Sequence, residues 1–86
     1  MEITLTLNPV KLSNPDADLR YTIPEMIEKV SNNEIKDNGF DYDDEDNMVV
    51  FLSYESLDNQ KAIDYVKTAC VNLHLELEAI KIEASA

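Results

Sequence analysis

Glu2–Leu7 alternates apolar and polar positions, with Ile3, Leu5 and Leu7 on one side and Thr4 and Thr6 on the other. A period of two with β-branched support predicts a half-buried strand. Asn8-Pro9 ends it, because proline has no amide to donate to a ladder. Val10 to Tyr21 reads as a long connection with a turn at Asn14-Pro15-Asp16. The first helix is predicted to begin at Thr22-Ile23-Pro24-Glu25, a threonine followed three residues later by glutamate with proline in the first turn. Ile23, Met26, Ile27 and Val30 recur at helical spacing, and Ser31-Asn32-Asn33 is a stop.

Met48–Tyr54 is apolar on both faces, which marks a central strand. Its hairpin partner runs from about Ile35 to Tyr42 and holds Gly39, the one glycine of the chain. Asn38-Gly39 is a strong hairpin dipeptide, but a turn there would strand the acids at 43–46 inside a strand. The turn is therefore placed at Asp44–Asn47, and Gly39 becomes a bulge. Ser56 to Val71 reads as the second helix, with Ala62, Val66, Ala69, Cys70 and Leu73 on its buried stripe. Ser56 or Asp58 can cap its start. Leu73–Ile82 reads as the last strand: Leu73, Leu75 and Leu77 alternate with His74, Glu76 and Glu78, and a phase slip at Ala79-Ile80 implies a bulge.

The order β-α-β-β-α-β predicts an α+β ferredoxin-like sandwich, a four-stranded antiparallel sheet with both helices on one face. Right-handed crossovers then put the first and third strands in the centre. At 86 residues the chain has room for a single domain spanning 1–86.

Charge narrows the function. Eighteen acidic residues against seven basic give a net charge of −11. Lys11, Arg20, Lys29, Lys36, Lys61, Lys67 and Lys81 are scattered singly, so direct binding to nucleic acid or an anionic membrane is not expected. Cys70 is the lone cysteine, so neither a disulfide within the chain nor a Cys-x-x-Cys metal loop is possible. No export signal or membrane span is read, and the cytoplasm is the expected compartment. A phosphate-cradling loop would need glycines that the first connection lacks. His74, read on the open sheet face, has no pocket or positioned partner for general-base work. Cys70 falls on the buried stripe, where a thiol acts as a small apolar group. The expectation is a binding protein without cofactor or enzymatic activity.

The densest feature is Asp37 to Asp46, where ten residues hold six of the eighteen acids. Asp41, Asp43 and Glu45 have the alternate spacing of calcium ligands. The sixth loop position is Asp46 where glycine makes the sharp turn, and the twelfth is Leu52 where a glutamate would ligate. Weak calcium binding is accordingly a secondary reading. Asp37, Asp41, Tyr42, Asp43, Asp44, Glu45 and Asp46 are taken as a partner-binding surface, since focused negative potential speeds encounter with cationic targets. Tyr42 adjoins the acids and offers contact area at small entropic cost.

In size and charge the chain resembles immunity proteins that neutralise nuclease toxins. It also resembles phage-encoded proteins of the anti-CRISPR or anti-restriction type that imitate DNA charge. That resemblance implies an inhibitor that occludes a basic protein surface, with carboxylates standing in for phosphates. The alternative from another class is a structural homo-oligomerisation domain, a homodimer pairing through the open sheet face of Thr4, Thr6, Val49, Phe51 and His74.

Overall fold

A computed structural model describes residues 1–13 and 18–85. The elements follow the expected order: β1 (Glu2–Leu7), α1 (Leu19–Val30), β2 (Ile35–Tyr42), β3 (Met48–Tyr54), α2 (Asn59–Asn72) and β4 (Ile80–Ser85). The strands form one antiparallel sheet in the order β2-β3-β1-β4. The first and third strands are central and the fold is ferredoxin-like, as the pattern predicts. Facing pairs such as Ile3 with Leu52 and Leu5 with Val50 turn one sheet side inward. They share one buried cluster with Ile23 and Ile27 of α1 and with Ala62, Val66, Ala69 and Cys70 of α2. Both helices therefore cover the same face. The other face keeps Thr4, Thr6, Val49, Phe51 and Ser53 only partly buried.

Three boundaries differ from the sequence reading. Helix α1 starts at Leu19, ahead of Thr22, because the Asp18 carbonyl already accepts the amides of Tyr21 and Thr22 at 2.9 Å each. The Thr22 hydroxyl donates to that same carbonyl at 3.0 Å, so it serves the preceding turn instead of a capping box with Glu25. Pro24 consequently lies inside the helix, where it is buried. Helix α2 starts at Asn59, with the Asp58 carboxylate accepting the Lys61 amide at 2.8 Å; Ser56 lies outside it.

The largest difference is at 73–79, which is not strand. Leu73 caps α2, His74 adopts a left-handed φ of 60°, and Leu77–Ala79 forms a short 3-10 helix before β4 begins at Ile80. The His74 amide donates to Val71 O and the Leu75 amide to Cys70 O, both at 3.0 Å, the paired bonds that close a helix on a left-handed residue. Helix termination thus uses the leucines that mimic a strand. The turn expected at Asn14-Pro15-Asp16 lies outside the described residues.

Candidate functional site

The β2–β3 hairpin follows the sequence reading closely. Asp37 faces Leu52 and Phe40 faces Val50, so β2 advances three residues while β3 advances two. This is the expected bulge, and Gly39 within it has φ 103°, a conformation costly for any residue with a side chain. The Asp37 carboxylate accepts the Gly39 amide at 3.0 Å and steadies the bulge. Between the strands the Asp43 amide donates to Asn47 O and the Asp46 amide to Asp43 O, both at 3.1 Å.

The seven predicted site residues all lie on this exposed hairpin, but they do different work. Asp43 organises the turn: its Oδ1 accepts the amides of Glu45 and Asn47 at 2.9 Å each, and its Oδ2 accepts Asn47 Nδ2 at 3.1 Å. Donation from Asn47 and Glu45 holds the Asp43 carboxyl below its ordinary value. Asp41 accepts the Tyr42 amide at 2.8 Å and, facing Val49, lies on the open side of the sheet. Asp44, Glu45 and Asp46 occupy the exposed tip. Among the described residues none of these carboxylates forms an ion pair; the ion pair present is Lys81 with Glu83, at 3.7 Å. Nor, among those residues, do three or more His, Cys, Asp or Glu side chains converge on a metal position.

Tyr42 faces Met48, which turns its ring to the helix side. There it meets Phe40 edge-on, with centroids 6.2 Å apart, and Phe40 meets Tyr21 of α1 edge-on at 6.4 Å. All three rings are substantially exposed: Tyr21 59%, Phe40 40% and Tyr42 47%. The Arg20 guanidinium lies over the Tyr21 ring at 4.8 Å and the Phe40 ring at 5.4 Å. Hydrogen bonding to Tyr42, with the Tyr21 phenol nearby, raises Arg20 above its ordinary value. Sequence reading missed Arg20 and Phe40. The available signal was the Gly39 bulge, which shifts the phase of β2 so that Phe40 and Tyr42 face the helix side and Asp41 the open side.

His74 is not on the sheet. It is exposed at the end of α2, beside a shallow groove shared with Leu12, Ser13, Leu19 and Glu76. The open sheet face therefore lacks it. Ser13 donates to Glu76 through both its hydroxyl and its amide, tying the first connection to the last and holding the Glu76 carboxyl below its ordinary value. Cys70 is fully buried, and burial pushes its thiol up to about 11, leaving almost no thiolate at neutral pH. Among the described residues no helix is long and apolar enough to cross a membrane.

No family model matches the chain, and no curated protein or solved structure matches it.

Proposed function

We propose that this chain is a binding protein, not an enzyme, that occludes a basic surface on another protein. The carrying observation is the hairpin tip, where exposed carboxylates that have no cationic partner among the described residues sit on a turn held by Asp43. A loop already fixed by its own hydrogen bonds loses less entropy when it docks, so more of the contact energy appears as affinity. Asp44, Glu45 and Asp46 act as anionic contacts for Lys or Arg side chains of the target, in the manner of phosphates. Tyr42, Phe40 and Tyr21 supply an adjoining aromatic anchor. A toxin immunity protein and an anti-CRISPR or anti-restriction inhibitor are both instances of this mechanism. Cytoplasmic residence accords with the lone buried thiol.

The test compares the wild-type chain with Asp44→Asn/Glu45→Gln/Asp46→Asn, immobilised in native host extract, and then measures kinetics on the captured target. Asp43 stays intact, because its carboxylate builds the turn. Asparagine at 46 suits the left-handed φ of 61° found there. The captured protein should be basic and should lose its nucleic-acid binding when the chain is added. The triple variant should associate more slowly, with a flatter salt dependence, because peripheral charges act mainly on encounter. A wild-type association rate and salt slope for that variant would refute the hairpin as the binding surface.

A further inference from the structure

The two edges of the sheet are built differently. On β2 a bulge, Gly39 and a row of acids oppose pairing with another strand. β4 is less protected: its six residues run in unbroken register with β1, contain neither proline nor glycine, and carry one charge of each sign, Lys81 and Glu83, where β2 has a row of like charges. Ile80, Ile82 and Ala84 face Leu7, Leu5 and Ile3 on the helix side, yet remain only partly buried. Next to them lies a groove lined by Ile63, Lys67, Leu77, Ile80 and Ile82, with Leu77 exposed. Lys81 and Glu83 stand on the opposite face, 72% and 63% exposed.

We propose that β4 pairs antiparallel with β4 of a second copy, Ile82 facing the partner's Ile82. The charge pattern selects this register. Lys81 then faces the partner's Glu83, and Glu83 the partner's Lys81, so the pair within each of the two chains is exchanged for two cross-strand pairs. Sliding by two residues in either direction sets Lys81 against the partner's Lys81, or Glu83 against the partner's Glu83, and like charges directly opposite are destabilising. Sliding by one residue sets isoleucines against charges and puts the two helix layers on opposite faces. In the selected register the sheet becomes eight-stranded with all helices on one side. The two grooves, each mainly apolar but also lined by Gln60 and Lys67, meet across the two-fold axis in an isologous contact. Because each copy carries −11, the dimer tightens as salt screens the repulsion between copies. Docking of the hairpin to a basic target has the opposite salt dependence, so the two surfaces can be told apart.

Sedimentation of the full chain from micromolar to millimolar concentration should show a reversible monomer–dimer equilibrium that strengthens from low to physiological salt. Lys81→Glu and Glu83→Lys should each weaken dimerisation about tenfold, since each turns two favourable pairs into two unfavourable ones. The double variant Lys81→Glu/Glu83→Lys should restore it, because the swapped charges again face their opposites. Circular dichroism confirms that each variant is folded, as expected for exposed side chains. A chain that stays monomeric throughout overturns the proposal. So does a dimer indifferent to both single variants, or one broken instead by Phe51→Asp on the open sheet face.

Discussion

Ser31 is fully buried where α1 ends, and its hydroxyl connects two elements. It accepts the Ile35 amide at 3.1 Å and donates to Glu28 O at 3.4 Å, so the first residue of β2 is held by the cap of α1. Asn32 and Asn33 follow with φ of 56° and 65°, a left-handed pair that asparagine tolerates better than most residues. Their amides return to Lys29 O and Glu28 O, at 3.3 and 2.7 Å. Composition alone marks Ser31-Asn32-Asn33 as a stop; the buried hydroxyl that fixes the direction of the next strand is visible only in three dimensions. Ser31→Ala leaves the Ile35 amide buried without an acceptor, which costs roughly 1–3 kcal/mol. Thermal unfolding should show this as a drop of several degrees, and an unchanged midpoint would mean that the amide finds another acceptor.

At the scale of elements, His74 shows why the start of β4 differs from what the sequence pattern predicts. Leu73, Leu75 and Leu77 have the period of a strand, but a helix terminus also places apolar residues around its left-handed position, and the two patterns overlap here. Glycine usually marks that position; histidine there removes the signal. The middle hairpin was legible because three independent cues agreed: the apolar run 48–54, the acids that resist a strand interior, and a glycine suited to the bulge. The candidate site was legible only in part. Acid density locates the exposed tip, while the turn-building role of Asp43 and the Arg20 contact with Tyr21 and Phe40 depend on chain geometry. The left-handed conformation penalises any L-residue with a side chain, so His74→Gly should stabilise the fold by about 0.5 kcal/mol after the greater freedom of unfolded glycine is subtracted. Denaturant titration at constant slope reads the change, and a destabilised variant would show that the imidazole makes compensating contacts at the groove.

The whole molecule carries far more negative charge than it neutralises internally. Eighteen acids face seven bases, and the ion pair formed among the described residues joins two exposed side chains, an arrangement worth little. Hydrogen bonds to backbone and side chains, as at Asp43 and Glu76, settle individual carboxylates but leave their charges in place. The surplus therefore acts as self-repulsion, which favours the expanded unfolded chain, where like charges lie further apart. Screening should reduce that penalty, because the Debye length falls to about 8 Å at physiological ionic strength and exposed charges separated by more no longer sense one another. Tm should accordingly rise from low to physiological sodium chloride. In a domain of this size each 1 kcal/mol recovered corresponds to roughly 4–8 °C. The scan belongs at low protein concentration, where the chain is monomeric and association through β4 adds nothing to apparent stability. Asp44→Asn/Glu45→Gln/Asp46→Asn, with three fewer charges at the tip, should start from a higher Tm and gain less from salt. Equal salt responses for that variant and the wild type would move the repulsion away from the hairpin to the carboxylates spread over the rest of the surface.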